Sequence, residues 1–181
     1  MKTALIYGEF LTKSSTGIAY VNSTLDSCLN KVGYKVTRII EPRTKDYSKA
    51  KNKIIKKNFN INDFIKLFFN FLNLELNDIS FITISMGNLG LLKTLIIQFF
   101  LKIKSRRIYL YIHRGDLNSQ YTKSLYKKTL IDLIIQKSFK VIFLSEIFRI
   151  QGSIKNMEQK ILVIENALNY DDCEKASKIF K

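Results

Sequence analysis

Short apolar runs alternate along this chain with longer stretches whose apolar residues recur at helical spacing. The runs occupy residues 3–7, 35–40, 79–85, 107–112, 140–144 and 161–164, and the helical stretches occupy residues 17–32, 61–76, 89–103 and 121–137. Strands that alternate with helices are joined by right-handed crossovers, which give a parallel sheet covered on both faces. The pattern predicts a Rossmann-like, doubly wound α/β fold with a mainly parallel sheet of about six strands. The first and fourth runs are expected to be central because they are nearly all apolar.

Length and composition fit one folded domain over residues 1–181. The chain is 46% hydrophobic and 25% charged, which is enough apolar material for a full core. The stretch 84–103 approaches membrane-spanning length, but it contains Asn88, Lys93 and Gln98 and is expected to be a buried crossover helix. The N-terminal segment lacks the apolar core and cleavage site of a signal peptide. A cytoplasmic location is therefore expected.

The charge balance predicts an anionic partner. Thirty lysine and arginine residues against fifteen acidic residues give a formal net charge of +15, which favours nucleic acid, anionic lipid headgroups or phosphorylated substrates. The basic residues form one block of Arg43, Lys45, Lys49, Lys51, Lys53, Lys56 and Lys57 and another of Lys102, Lys104, Arg106 and Arg107. Specific nucleic-acid recognition is not expected, because no RNA-binding aromatic signature or zinc-finger spacing accompanies the charge. The alternative is a lysine-rich surface that is simply solvated. Cys28 and Cys173 match no metal-ligand spacing, and neither a metal nor a cofactor is expected.

The only histidine, His113, directly follows the fourth predicted strand, in the segment His113-Arg114-Gly115-Asp116. Ligands of open α/β sheets bind in the crevice beyond the carboxyl ends of the strands. This strand end is therefore a candidate site. Gly-Asp is also ordinary turn chemistry, and a lone histidine is often structural, so both interpretations stay open.

Two other strand ends carry polar residues at the same edge of the predicted sheet. The loop from Gly8 to Gly17 leads into a helix N-terminus, which presents N–H groups to an anion, yet it matches no phosphate-binding motif. Thr16 would serve equally well as an N-cap of that helix. The fifth run ends at Ser145 and Glu146, and Ser145 fits the cap of a short following helix better than a ligand contact.

Four segments match one known family in order and spacing. They are residues 15–39 (STGIAYVNSTLDSCLNKVGYKVTRI), 108–117 (IYLYIHRGDL), 137–146 (KSFKVIFLSE) and 160–169 (KILVIENALN). Together they resemble the N-terminal half of retaining GT-B glycosyltransferases, in the large bacterial family that builds capsule, O-antigen and other surface polysaccharides. Two positions depart from the family pattern. Its glycine pair in the first loop is reduced to Gly17, and Ala167 replaces the glycine that follows the asparagine.

The resemblance implies a role in sugar transfer from a nucleotide-sugar to a lipid-linked or surface-glycan acceptor. The family's second domain carries the nucleotide-sugar pocket, so this half alone is expected to be inactive, whether it is a truncated chain, a degenerate gene or half of a split enzyme. The resemblance assigns the catalytic role to His113 and substrate contacts to Thr16, Gly17, Arg114, Asp116, Ser145 and Glu146. Asn166 matches the residue at the family's domain junction and is expected to be structural.

The alternative function is a non-catalytic Rossmann-like module that binds an anionic membrane surface or a protein partner. The predicted helix 61–76 lies beside the basic block and carries five large apolar residues, Phe64, Leu67, Phe68, Phe71 and Leu72. That is more apolar surface than a single sheet contact requires, which predicts peripheral binding to the inner face of the membrane. The competing interpretation is that these phenylalanines pack on the sheet.

Overall fold

The computed structural model describes residues 2–10, 17–41, 45–46, 55–56, 61–113, 115–152 and 154–164. The strands are β1 (Lys2–Gly8), β2 (Tyr34–Ile40), β3 (Lys45–Asp46), β4 (Ile55–Lys56), β5 (Asn77–Thr83), β6 (Ser105–Ile112), β7 (Lys140–Phe143) and β8 (Ile161–Val163). The helices are α1 (Gly17–Lys31), α2 (Ile61–Leu72), α3 (Asn88–Lys104), α4 (Leu117–Lys123), α5 (Leu125–Lys137) and α6 (Glu146–Gly152), and a 3₁₀ helix (Lys155–Lys160) precedes β8. Strands and helices alternate as the apolar pattern predicts.

Six strands form one sheet in the order β2-β1-β5-β6-β7-β8, and every neighbouring pair is parallel. The two-residue strands β3 and β4 form a separate antiparallel pair. The expectation of a Rossmann-like, doubly wound α/β fold is confirmed. β5 and β6 form the central pair of the sheet. The prediction that β6 is central is therefore confirmed. β1, which was also predicted to be central, is the second strand from the edge.

Helices cover both faces of this sheet, because alternate strand residues point into two separate cores. One core contains Ala4 of β1 and Leu29 of α1. The other contains Leu5 of β1 together with Leu91 of α3 and Ile131 of α5. All five side chains are almost completely buried, and each such burial contributes about 1.5–3 kcal/mol for a leucine or isoleucine. The fold is therefore stabilised by apolar packing on each side of the sheet.

The near-membrane-length stretch is a crossover helix, as predicted. Gln98 of α3 is fully buried, and its Nε2 donates to the Ile134 carbonyl oxygen at 3.0 Å and to Ser138 Oγ at 2.8 Å. These contacts satisfy the amide nitrogen of Gln98 and fix α3 against α5, whereas its Oε1 has no hydrogen-bond partner among the described residues. No helix in the described part of the chain is long and apolar enough to cross a membrane.

Two helices differ from the sequence pattern. The helix predicted over residues 121–137 is broken at Ser124, whose backbone is extended and whose Oγ accepts the Lys127 N–H. A serine in this conformation is a typical N-cap, so α5 begins anew after α4. α2 ends at Leu72 rather than at residue 76. The sequence also has a short helical pattern at residues 171–180, which lies outside the described residues.

The strand order reverses between β1 and β5. The crossover through α1 carries the chain from β1 outward to β2, whereas β5 lies on the opposite side of β1. In doubly wound sheets, connections that leave in opposite directions open a crevice at this point. The carboxyl ends of β1 and β5, with β6 beside them, therefore lie at the position where doubly wound sheets generally bind their ligands.

Candidate functional site

Polar groups collect at the carboxyl ends of three neighbouring strands, and we call Gly8, Glu9, Asn22, Thr83 and His113 the rim site. Gly8 ends β1, Thr83 ends β5, and His113 directly follows β6. Thr83 Oγ1 lies 3.4 Å from His113 Nε2, at the long limit of a hydrogen bond. Glu9 lies close enough for its charge to act on the imidazole. The switch point of the sheet therefore contains a hydroxyl, an imidazole and a carboxylate.

An aromatic layer holds the imidazole of His113 in place. Alternation along β6 puts Tyr109, Tyr111 and His113 on the same side of the sheet. The rings of Tyr111 and His113 are nearly parallel, at 16°, with centroids 5.7 Å apart. Phe81 of β5 lies 5.0 Å from Tyr109 and 5.9 Å from Tyr111, centroid to centroid. The histidine thus extends a buried aromatic stack outward to the edge of the sheet.

The imidazole of His113 is uncharged at neutral pH. Its side chain is half-buried, and burial lowers its pKa to about 4, although the Glu9 carboxylate acts in the opposite direction. One ring nitrogen of a neutral imidazole donates a hydrogen bond and the other accepts one. His113 can therefore bind a hydroxyl or accept a proton, but it offers no permanent positive charge to an anion.

Gly8 allows the first loop to pass close to α1. A Cβ added at Gly8 would lie 2.5 Å from Asn22 Nδ2 and 3.5 Å from Thr83 Oγ1. Asn22 is buried, and its Nδ2 donates to the Glu9 carbonyl oxygen at 2.9 Å. The side-chain amide of Asn22, on α1, thereby fixes the backbone at Glu9.

A second cluster of polar side chains lies at the same edge of the sheet as the rim site but on the opposite face. Lys93 of α3 forms an ion pair with Glu41, and its Nζ lies 6.0 Å from the centre of the Tyr7 ring. The Glu41 N–H donates to the Gly8 carbonyl oxygen at 2.9 Å. The buried Tyr7 hydroxyl has no hydrogen-bond partner within the described residues, and burial, followed by the nearby Glu41 charge, raises its pKa. The ion pair ties α3 to the ends of β1 and β2.

Of the two glycines that the sequence places in the loops of this edge, Gly17 and Gly115, the structure gives a packing reason for Gly115 alone. Gly17 begins α1, and no described residue lies within 4 Å of the place that a Cβ would take there. A Cβ on Gly115 would lie 2.4 Å from Gln151 Oε1, so Gly115 permits close packing against α6. Asp116 is half-buried directly before α4. Thr16, Arg114 and Asn166, to which the resemblance gives roles, lie outside the described residues, and so do most residues of the basic block at 43–57.

Ser145 and Glu146, at the end of β7, make contacts within α6. The Ser145 Oγ accepts the Phe148 N–H at 3.1 Å, which confirms its prediction as a helix cap. The exposed Glu146 carboxylate pairs with Arg149, and this hydrogen-bonded pairing lowers the Glu146 pKa. Both side chains thus stabilise the start of α6.

Sequence reasoning missed Asn22 and Thr83. Thr83 left a weak signal, because it is a polar residue near the end of an apolar strand beside the strand that precedes His113. The sequence contains no signal for Asn22, because it occupies an ordinary polar position of an amphipathic helix. Only the close approach of α1 to Gly8 shows its role.

Comparisons with known proteins do not place the chain in a family. No protein-family model matches the sequence, and no curated protein matches it significantly. Within the described residues, no three histidine, cysteine or acidic side chains come together in a way that could hold a metal ion. The resemblance to GT-B glycosyltransferases therefore depends on the four sequence segments alone.

Proposed function

We propose that this chain is the acceptor-side domain of a retaining sugar transferase and that the rim site binds hydroxyl groups of a glycan or lipid-linked acceptor. The observation that carries the proposal is the contact between Thr83 Oγ1 and the neutral His113 imidazole, next to Glu9, at the switch point of the sheet. Doubly wound sheets bind their ligands at this place. The four family-like segments supply the reaction class.

The chemistry of the rim site suits a neutral, hydroxylated ligand. Sugar hydroxyls both donate and accept hydrogen bonds, and so do a neutral imidazole and a threonine hydroxyl. A carboxylate accepts further hydrogen bonds from the same ligand, and each such charge-assisted bond is stronger than a neutral one. In this proposal His113 contacts the acceptor near the transferred sugar, while Thr83 and Glu9 position it.

The nucleotide-sugar donor would bind a second domain, as the resemblance implies. His113 carries no positive charge at neutral pH, so it is poorly suited to hold the phosphates of the donor. The 181-residue chain is therefore expected to bind acceptor glycans and to transfer no sugar by itself. Joining it to a matching donor-binding domain should create activity, and His113→Ala should then lower that activity.

Nuclear magnetic resonance of the single histidine tests acceptor binding directly. The Hε1 resonance of His113 is unique in this chain, and a soluble, uncharged oligosaccharide used as an acceptor analogue should shift it, whereas a nucleotide-sugar should not. Thr83→Val should weaken the binding about threefold to tenfold through loss of one neutral hydrogen bond. The matched control is Thr129→Val on the exposed face of α5, which should leave binding unchanged. Equal shifts with both ligand types, or none with the acceptor, would refute the proposal.

A further inference from the structure

α2 and α3 each carry a second apolar stripe that faces away from the sheet. We call the two stripes the outer apolar surface, which consists of Ile65, Phe68, Phe69 and Leu72 on α2 and Leu92, Ile96, Phe99 and Ile103 on α3. The spacing within each stripe follows the helical repeat, so its members share one side of their helix. All of these side chains are exposed except Ile96, which is half-buried.

The core of the protein does not need these side chains. Leu67 and Phe71 of α2 already pack on the sheet, and Phe71 is only 2% exposed. Phe69, two residues earlier on the same helix, is 56% exposed, and Phe99 of α3 is 58% exposed. The apolar arc of α2 is thus wide enough for two surfaces, of which the sheet covers one.

Aromatic contacts join the two stripes into one continuous surface. Phe68 of α2 meets Phe100 of α3 edge to face, with ring centroids 5.0 Å apart. Phe69 lies 6.2 Å from Phe68, and Phe99 lies 5.9 Å from Phe100, by the same measure. A continuous exposed apolar patch of this kind marks an interaction site with a membrane or another molecule.

Positive charge borders this surface on both helices. Lys66 lies three residues before Phe69 and Lys102 three residues after Phe99, so each lysine neighbours an exposed phenylalanine on its helix. Both lysines are exposed. The last turn of α3 carries Lys102 and Lys104, and this helix contains no acidic residue. Its third lysine, Lys93, is paired with Glu41. The whole chain carries a net charge of +15.

We propose that the outer apolar surface docks on an anionic lipid bilayer, with α2 and α3 lying in the plane of the interface. Apolar side chains rimmed by lysines match the two components of such a surface, the acyl region and the negative headgroups. A second copy of this chain fits less well, because two molecules with the same large positive charge repel each other. This inference is independent of the proposed sugar-transfer function.

Tryptophan fluorescence provides a direct test, because the chain contains no tryptophan. Phe69→Trp places a single reporter inside the outer apolar surface, and its emission should shift to shorter wavelength with vesicles that contain phosphatidylglycerol. Brominated lipid should quench it. Ile150→Trp on α6 is the matched control, because Ile150 is exposed and lies outside this surface. Its emission should stay unchanged.

Co-sedimentation with vesicles separates the apolar from the electrostatic contribution. The double change Phe69→Ser with Phe99→Ser should lower the vesicle partition coefficient on the order of tenfold or more, because two half-exposed rings no longer enter the bilayer. Lys66→Gln and Lys102→Gln should each lower it about fivefold. Binding to pure phosphatidylcholine vesicles should be weaker than binding to vesicles with phosphatidylglycerol. Circular dichroism of each variant checks that it is folded.

Three results would overturn the inference. The first is unchanged emission of a folded Phe69→Trp protein on addition of anionic vesicles. The second is equal binding of the wild-type protein and the double serine variant. The third is self-association without lipid that the double serine change abolishes, together with no vesicle binding, which would assign the surface to a second copy of the chain.

Discussion

The rim site and the outer apolar surface use aromatic side chains in opposite ways. At the rim site, Tyr111 and Phe81 are buried, and they hold His113 at the edge of the sheet. On the outer apolar surface, Phe69 and Phe99 are more than half exposed, and each ring contacts the phenylalanine next to it on its helix. The fold therefore fixes the geometry of the first region, whereas the second region presents apolar area that the fold leaves uncovered.

This difference indicates how each region would recognise a ligand. Hydrogen-bonding groups that are held by packing can select a ligand by shape and donor pattern, because they are already oriented before binding. An exposed apolar surface with flanking lysines has little directional chemistry, and it selects an environment rather than a molecule. Substitutions at the rim site should therefore change stability and ligand specificity, while substitutions on the outer surface should change membrane affinity alone.

The largest expected effect separates the two sides of α2. Phe71→Ala should lower the free energy of unfolding by about 3–5 kcal/mol, because it removes a buried ring that packs on the sheet. Phe69→Ala should change it by no more than about 0.5 kcal/mol, because that ring is exposed. Urea denaturation of both variants measures the difference. A large loss for Phe69→Ala would mean that the outer apolar surface belongs to the core.

The next effect concerns the close approach at the rim site. Gly8→Ala should destabilise the protein by about 2 kcal/mol, because the new methyl group would lie within 2.5 Å of Asn22 Nδ2. The matched control is Gly17→Ala, because no described residue would contact the new methyl group, and this change should be neutral or stabilising by up to about 1 kcal/mol.

A double-mutant cycle shows whether Asn22 is the cause of the Gly8 effect. In the Asn22→Ala background the same Gly8→Ala change should cost less, because the clashing amide has been removed. An equal cost in both backgrounds would show that the backbone of the first loop, rather than the Asn22 side chain, needs the glycine.

The third effect is a pH dependence that His113 causes. Its pKa is about 4 in the folded protein against an ordinary 6.5, so the unfolded chain binds more protons between these values. The contribution of His113 to the free energy of unfolding should therefore be fully present above pH 6.5. It should fall by about 1–3 kcal/mol as the pH decreases to about 4. Unfolding of wild type and His113→Gln at pH 7 and pH 4.5 isolates this contribution, since the carboxylates are common to both. Equal pH dependence in the two proteins would contradict it.

The sheet could be predicted from the sequence for a clear physical reason. Strands of a parallel sheet that is buried on both faces are nearly continuous apolar runs, and such runs are visible without any structure. The six main strands were therefore located correctly, with their bounds shifted by one or two residues at most ends. The tiny β3 and β4 pair could not be found, because two-residue strands carry no periodicity.

The rim site was predictable only in part. His113 could be found because a polar residue after a buried strand must lie at the edge of the sheet. Its neutral state and its contact with Thr83 could not, because they depend on the register between β5 and β6 and on the depth of burial. The break at Ser124 could not be predicted either, because the helical spacing of apolar residues continues from α4 into α5 across it.

The smallest expected effect tests how far the rim site extends along the sheet. Ser145 follows β7, one strand beyond His113, and its Oγ caps α6 through the Phe148 N–H. Ser145→Ala should therefore cost about 1 kcal/mol of stability, and Ser145→Asp should restore most of it, because an aspartate caps a helix equally well. If capping is its whole role, both variants should bind the acceptor analogue like the wild-type protein. If instead both variants lose binding while Ser145→Asp keeps its stability, the hydroxyl itself contacts the ligand, and the rim site extends across a fourth strand.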